Sequence, residues 1–223
     1  MPSEYHKIET LYERDEKTHR LKPELKLKNP VYGCLKSWHW TEKIDGTNIR
    51  VMWAPSPFPE IAKPALTFGG KTDNAQMPAD LVKWLYENIA PEKMRAIFPE
   101  IPVVIYGEGY GAGIQKGGGD YSLAKKLIVF DVFVVDLVNS ALGGWWLNWE
   151  NTVDVAQKLG LQTVPYLGEM TLEEATEKVR KGFKSQAAIV NSKDAEGMVG
   201  RPLEALFDKK GHRLIVKLKT KDF

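Results

Sequence analysis

Cysteine, histidine and long apolar runs are all scarce in this sequence of 223 residues. Its single cysteine, Cys34, excludes an internal disulfide and a cysteine-rich zinc site. The four histidines, His6, His19, His39 and His212, show no metal-ligand spacing. No apolar run approaches the ~20 residues that a membrane-spanning helix requires. The N-terminus MPSEYHKIET also lacks the apolar core of a signal peptide. The sequence therefore predicts a soluble, cytoplasmic protein that does not bind membranes.

A large excess of charge of either sign is also lacking. Lys and Arg total 31 against 29 Asp and Glu, which leaves a net charge of +2. Affinity for nucleic acid would therefore have to come from a local cluster, such as the closing stretch HRLIVKLKTKDF. The apolar content of 43% is sufficient for a sizeable core. We expect one domain over residues 1–223, with a charged, irregular N-terminal segment at 1–40 and no C-terminal accessory domain.

Hydrophobic periodicity predicts both strands and helices. Alternation of β-branched or aromatic residues with polar ones predicts strands at TEKID, TNIRVMWA, ALTFGGKT and VVIYGEGYG, and KLIVFDVFVVD is expected to be a central strand. Helical spacing and capping signals predict helices at PADLVKWLYENI, PEKMRAIF, WENTVDVAQKLG and TLEEATEKVRKGF. The stretch APSPFPEIAKP is predicted to be a loop, and the tail a hairpin with its turn at DKKG. Together these elements predict an α+β fold with mainly antiparallel sheets.

The stretch TEKIDGTNIR at 41–50 has two interpretations. Asp45 and Gly46 can form a hairpin turn beside a solvated Lys43. Alternatively, Lys43 is a nucleophile at a strand end, and Asp45 and Asn48 face the same ligand. Two glycine-rich stretches are poorer candidates for a nucleotide site. GEGYGAG has no amphipathic helix after it, and FGGKT lacks the first glycine of a phosphate-binding loop.

Several charged residues fall at strand positions that apolar residues border. These are Glu42, Lys43, Glu108, Glu196, Lys217 and Lys219. Each of them alone is best explained as a solvated or ion-paired residue, because burial of an unpaired charge is costly. Together, lysines that balance phosphate charge and carboxylates that hold a divalent metal favour a triphosphate site. A lysine among other lysines also has a lowered pKa, which favours the neutral amine of a nucleophile.

In order along the chain, these stretches resemble the motifs of the covalent nucleotidyltransferase superfamily, specifically those of ATP-dependent RNA ligases of the RNA ligase 2 branch. EKIDGTN at 42–48 resembles motif I, which contains the adenylated lysine, and GGKT at 69–72 resembles the block after it. IYGEGYG at 105–111 resembles motif III, and VFDVFV falls at motif IIIa. AEGMVGRP at 195–202 and IVKLKTK at 215–221 resemble motifs IV and V.

The resemblance implies an adenylation domain of two packed, mainly antiparallel sheets, flanked by helices around a nucleotide groove. It also implies three in-line displacements at phosphorus. Lys43 would attack the α-phosphate of ATP to form lysyl-AMP, the AMP would pass to a 5′-phosphate end, and a 3′-hydroxyl would then displace it. Glu196 would engage the Mg²⁺ or Mn²⁺ cofactor, and Lys217 and Lys219 would contact phosphate and assist catalysis.

The same resemblance assigns the nucleotide contacts. Asn48 and Glu108 would bind the ribose, and Glu42 would help to recognise adenine. Lys71 stands where relatives often carry arginine, so it would neutralise phosphate charge without the bidentate geometry of a guanidinium.

RNA with 5′-phosphate and 3′-hydroxyl ends is the expected partner of a monomeric enzyme, also in duplex or nicked form. Two alternatives stay open. One is a DNA or nick-sealing ligase with the same lysyl-AMP step, since Asp45 is shared with the DNA-ligase pattern although Asn48 favours RNA ligation. The other is a nucleic-acid-binding module that has lost catalysis.

Overall fold

The computed structural model describes residues 4–18, 20–56, 64–136, 143–208 and 211–223. Its helices are α1 (Ala79–Asn88), α2 (Pro91–Ile97), α3 (Trp149–Leu159) and α4 (Leu172–Lys181). Its strands are β1 (Glu9–Thr10), β2 (Trp38–Glu42), β3 (Thr47–Ala54), β4 (Ala65–Gly69), β5 (Val103–Tyr110), β6 (Lys126–Val135), β7 (Gly144–Trp146), β8 (Gln162–Thr163), β9 (Tyr166–Met170), β10 (Gly197–Arg201) and β11 (Val216–Lys219). Short 3₁₀ turns occupy Pro30–Cys34, Gly118–Asp120 and Thr220–Asp222.

These elements confirm the predicted α+β class, with four helices and two mostly antiparallel sheets. All four predicted helices and the five predicted strands are present. Most of the predicted loop APSPFPEIAKP and the centre of the predicted turn DKKG lie outside the described residues. In the part of the chain that the structure describes, none of the helices has the length and apolar character needed to span a membrane.

The chain divides into two compact units, each with its own sheet and core. Unit 1 comprises Met1–His6 with Asp45–Thr163, and unit 2 comprises Lys7–Ile44 with Val164–Phe223. Two predictions are left untested by this division: that residues 1–223 act as one nucleotidyltransferase domain, and that this domain has a nucleotide groove.

Unit 1 contains a sheet in the order β4-β3-β5-β6-β7, with β8 paired to β6. The pairing of β6 with β8 is parallel and the others are antiparallel. As predicted, β6 is an interior strand. Along β3, Ile49, Val51 and Trp53 are fully buried in the core that α1, α2 and α3 share with this sheet. The alternate residues of β3 therefore lie on the opposite face, which carries polar side chains.

Unit 2 contains a sheet in the order β1-β11-β10-β2-β9, in which only the β1–β11 pairing is parallel. Trp38 and Trp40 are fully buried in its core, against which α4 packs. The antiparallel pairing of β10 with β11 confirms the predicted tail hairpin. The prediction of an irregular segment at 1–40 was wrong in one respect, because β1 adds to the sheet beside β11.

The predicted capping box of α4 is present and can be tested. The Thr171 hydroxyl accepts from the Glu174 N–H at 3.2 Å, and the Glu174 carboxylate accepts from the Thr171 N–H at 2.8 Å. We expect Thr171→Ala to lower the free energy of unfolding by about 1 kcal/mol, because both bonds satisfy otherwise unpaired helix donors. Denaturant unfolding measures the loss, and Glu173→Ala, in the same turn but outside the box, should change it much less.

Candidate functional site

Unit 2 brings together three of the charged residues that the sequence singles out. Lys43 follows the end of β2, Glu196 precedes β10, and Lys219 ends β11. The Lys43 Nζ donates to Glu196 Oε2 at 2.6 Å, and the Lys219 Nζ donates to Glu196 Oε1 at 2.6 Å. The three side chains are only 16–22% exposed. We call this the Glu196 cluster: one carboxylate bound by two ammonium groups.

Backbone hydrogen bonds hold the cluster in register. The Lys43 N–H donates to the Gly197 carbonyl at 3.0 Å, and the Thr220 N–H donates to the Glu196 carbonyl at 2.9 Å. Gly197 has φ of +152°, and a Cβ there would lie 2.0 Å from the Leu218 carbonyl oxygen. The close approach of β10 to β11 that brings Glu196 beside Lys219 therefore requires glycine at this position.

The charge state of Glu196 follows from opposing influences. Burial raises the pKa of the Glu196 carboxyl, but the nearby Lys43 and Lys219 lower it by a greater amount, so the pKa lies below its usual value. Glu196 is therefore ionised at neutral pH and can attract cations.

Lys217 lies beside the cluster and has the lowered pKa expected of a lysine among lysines. Burial lowers the pKa of its ammonium to about 8, with further contributions from the positive charges of Lys219, Lys43 and Arg14. Along β11, Val216 and Leu218 are buried in the core, so Lys217 and Lys219 share the opposite face, as their spacing predicted. Within the described part of the chain, Lys217 has no carboxylate partner, and its charge is available to an anion.

Glu42 is buried in unit 2 and its carboxylate is already bonded. It accepts from the Ser185 hydroxyl and from the Gln186 N–H, the latter at 2.8 Å. Burial raises the pKa of the Glu42 carboxyl, and these hydrogen bonds oppose the rise. No local pattern indicates the Ser185 contact, because the two residues are 143 positions apart. Recognition of adenine by Glu42 stays a prediction.

In unit 1, Asn48 and Glu108 form a directly opposed pair across β3 and β5. Opposed residues of antiparallel strands point to the same side of a sheet. This is the side away from α1, α2 and α3, since Ile49 packs among those helices. The Asn48 Oδ1 is buried and accepts no hydrogen bond from the residues that the structure describes. A buried amide oxygen without a donor is a candidate for a ligand hydroxyl.

Lys71 is exposed on a loop of unit 1 that Arg50 fixes. The Arg50 guanidinium is 1% exposed, and it donates to the Gly70 carbonyl and to Asp73 Oδ1, both at 2.8 Å. This role of Arg50 was not predicted from the sequence. The available signal was its place on the polar face of β3, two residues after Asn48.

A divalent metal could bind at the Glu196 cluster through a single carboxylate, with waters and substrate phosphates as its other ligands. Among the described residues, no group of three or more His, Cys, Asp or Glu side chains is arranged to hold a metal. Mg²⁺ is commonly held by one or two carboxylates, waters and substrate phosphates rather than by an all-protein cage. The ionised Glu196, beside the amines of Lys43 and Lys219, suits that mode of binding.

A comparison with protein families finds a match over most of the chain. The RNA ligase family model matches residues 36–219. The chain belongs to the RNA ligase family. All eight predicted site residues fall in the matched range, and the segment before residue 36 lies outside it.

Solved RNA ligases of Naegleria gruberi share the fold. An apo point mutant has a TM-score of 0.64 at 16% identity, over 99% of this chain and 58% of its own. Another mutant, with ATP and Mn, has a TM-score of 0.63 at 16% identity, over 100% and 64%. The enzyme with PPi has a TM-score of 0.60 at 15% identity, over 97% and 62%. The chain therefore spans less than two thirds of these relatives, and no curated protein sequence matches it significantly.

The lowered pKa of Lys217 predicts how stability depends on pH. The ordinary pKa of a lysine is 10.5, against about 8 for Lys217 in the folded protein. Between these values the unfolded state binds more protons, so Lys217 makes the free energy of unfolding rise with pH. We expect Lys217→Met to be more stable than the wild type near pH 7, and this advantage to shrink towards pH 10.

Urea unfolding of both proteins across this range measures the difference. Lys36→Met, a change to an exposed lysine of unit 2, is the control and should not reproduce the effect. A difference between wild type and Lys217→Met that stays constant from pH 7 to 10 would contradict the prediction.

Proposed function

We propose that this chain is an ATP-dependent RNA ligase that joins 3′-hydroxyl and 5′-phosphate ends through a lysyl-AMP intermediate. The Glu196 cluster carries the proposal: Lys43 and Lys219 each lie 2.6 Å from one carboxylate, in the region that matches the RNA ligase family. Relatives of the same fold have been solved with ATP and Mn, with AMP and Mn, and with PPi. ATP and a divalent ion would be the substrate and cofactor of the first step, pyrophosphate would be its leaving group, and AMP would be released in the third step.

In the first step, the Lys43 Nζ attacks the α-phosphorus of ATP, the bond to the bridging oxygen breaks, and pyrophosphate leaves. The attacking amine must be neutral, so Lys43 has to lose a proton. Glu196 Oε2 accepts a hydrogen bond from this amine and is the nearest group to receive that proton. Lys217 and Lys219 would balance the charge on the α-phosphate and orient the leaving group.

In the second step Lys43 is the leaving group, and in the third step it takes no part. An oxygen of the RNA 5′-phosphate attacks the phosphoramidate, which frees the lysine and leaves an adenylated 5′ end. The 3′-hydroxyl then attacks that 5′-phosphate, and AMP leaves. A divalent ion at Glu196 would neutralise phosphate charge in these transfers.

The ribose contacts of this proposal are assigned to residues of unit 1. Asn48 and Glu108 are assigned to the ribose hydroxyls, a role supported by their cross-strand pairing and by the unpartnered Asn48 oxygen. Lys71 is assigned to phosphate and Glu42 to adenine on the motif resemblance alone.

The lysyl-AMP step is tested by incubation with labelled ATP and Mg²⁺, followed by denaturing electrophoresis and mass spectrometry. The wild type should carry one AMP, and Lys43→Ala should carry none. Lys43→Arg should also carry none, although it preserves the positive charge beside Glu196, because a guanidinium stays protonated. Lys36→Ala should keep the adduct. Absence of an adduct in the wild type at every pH from neutral to alkaline would refute the proposal.

Strand sealing separates an RNA ligase from a DNA ligase with the same first step. Adenylated protein is mixed with nicked duplexes that carry either RNA or DNA on the 3′-hydroxyl side. We expect sealing to require RNA there, because an enzyme that contacts the 2′-hydroxyl distinguishes the two. Equal sealing of both nicks would favour the DNA or nick-sealing alternative, and an adduct-free protein that still binds RNA would favour the inactive module.

A further inference from the structure

A large cleft in unit 2 is lined by the N-terminal segment and by the end of β11. One wall comes from the N-terminal segment, at residues 7–10, 13–17, 22 and 28, and the other from Lys217, Lys219 and Lys221. Its volume of about 1060 Å³ is at the upper end of the range of about 300–1,000 Å³ that is usual for small-molecule pockets. Such pockets are mostly apolar, whereas Ile8 is the one aliphatic residue among the described residues that line this cleft. The cleft therefore suits a long, charged ligand better than a compact organic one.

Positive charge is concentrated in this cleft. Its lining contains seven lysines and one arginine against three glutamates and one aspartate, an excess of four positive charges. The whole chain has a net charge of only +2. The cleft is thus the local cluster of positive charge that binding to a polyanion requires.

Part of this charge is neutralised within the N-terminal segment. Glu9 pairs with Lys28, and Glu13 pairs with Lys22 at 2.8 Å and with Lys26 at 3.1 Å. Because of these ion pairs, the N-terminal wall of the cleft has little net charge.

Three lysines of the cleft have no such partner. In the described ranges of the chain, no carboxylate lies within ion-pair distance of Lys17, Lys217 or Lys221. Lys17 and Lys221 are exposed, whereas Lys217 is half-buried. Lys217 is close enough to Lys219, Lys43 and Arg14 for their positive charges to lower its pKa, after the larger effect of burial, so an anion bound there would offset that repulsion.

The N-terminal wall is fixed to β11 by the backbone. Thr10 pairs with Lys217 in parallel register, and the Leu11 N–H donates to the Lys217 carbonyl at 3.2 Å. The Arg14 guanidinium also forms an ion pair with Asp222. The two walls are therefore held at a defined separation, and the cations along them are organised before any ligand arrives.

We propose that this cleft binds the sugar-phosphate backbone of a single RNA strand and leads that strand towards the Glu196 cluster. Lys219 supports the direction, because it both lines the cleft and bonds to Glu196.

No residue among those described in the lining is aromatic, so the cleft lacks the stacking surfaces that read or hold bases. Binding is then independent of sequence and strongly dependent on salt. The choice of RNA as the polyanion rests on the proposed function. The N-terminal wall lies outside the residues that the family model matches.

Charge reversal of the two exposed lysines tests the proposal. Affinity for a short labelled single-stranded RNA is measured by fluorescence anisotropy between about 50 and 200 mM salt. Each lost phosphate contact lowers the slope of log affinity against log salt by about 0.7 for a single strand. We expect the double variant Lys17→Glu with Lys221→Glu to lose about 1.4 from this slope and to bind RNA at least about tenfold more weakly. The double variant with glutamine at both positions should lose the same slope with a smaller fall in affinity.

Several controls make the result specific. Lys36→Glu reverses an exposed lysine of unit 2 outside the cleft and should leave RNA affinity unchanged. Melting temperatures near that of the wild type show that the variants are folded. An unchanged salt slope in folded variants would overturn the proposal, as would an equal loss in Lys36→Glu. A preference of more than about tenfold for one RNA sequence would contradict backbone recognition.

Two further measurements distinguish an RNA cleft from a pyrophosphate site and from a failure of the ligase proposal. If the double variants lose affinity for pyrophosphate but keep their affinity for RNA, the cleft holds the leaving group and the proposal is wrong. Failure of the proposed function is recognised independently, on the wild type. If the double variants lose the salt slope but the wild type forms no AMP adduct, the cleft proposal is supported and the ligase proposal is refuted. If the wild type forms the adduct but the double variants keep the salt slope, the ligase proposal is supported and the cleft proposal is refuted.

Discussion

One carboxylate shared between two lysines is the constraint on which the arrangement of unit 2 depends. Glu196 binds Lys43, which follows β2, and Lys219, which ends β11, so β2 and β11 have to end at the level of the sheet where β10 begins. Removal of one partner from a fully buried ion pair costs about 3–5 kcal/mol. The side chains here are 16–22% exposed, so the penalty is smaller, but it still favours this strand register over its alternatives. The glycine that follows Glu196 permits the close strand approach that the shared carboxylate needs.

The same contact restrains the chemistry that we propose. The Lys43 amine donates a hydrogen bond to Glu196 at 2.6 Å, whereas an attacking amine must present a free lone pair to phosphorus. The amine therefore has to leave this hydrogen bond before it can attack. The other oxygen of Glu196 stays bonded to Lys219, so the carboxylate keeps its position when Lys43 leaves. In this view the hydrogen bond holds the lysine in place until the substrate is bound.

Local signals carried most of the sequence prediction. The capping box at Thr171, the alternation along β3 and the hydrophobic run of β6 each depend on residues close in sequence, and the structure confirms them. The contacts that were missed join residues far apart. Glu42 meets Ser185 across 143 positions, and β1 pairs with β11 across about the whole chain. A two-residue strand has no periodicity to detect, and its addition to the sheet depends on the edge that β11 offers rather than on its own sequence. Motif order could select charged residues as candidates, but it could not predict which of them share a hydrogen bond.

Lys217 connects the two charged regions of unit 2. Its side chain lines the cleft, and its pKa is lowered by burial and by the charges of Lys219, Lys43 and Arg14. A phosphate that binds beside it would offset the repulsion from these cations and raise that pKa, so binding and protonation are coupled. An anion in the cleft would therefore increase the fraction of Lys217 that is protonated near its pKa of about 8. The positive charge that a phosphate encounters thus depends in part on the presence of the phosphate itself, which favours polyanions that occupy the cleft and the Glu196 cluster together over single anions at either one.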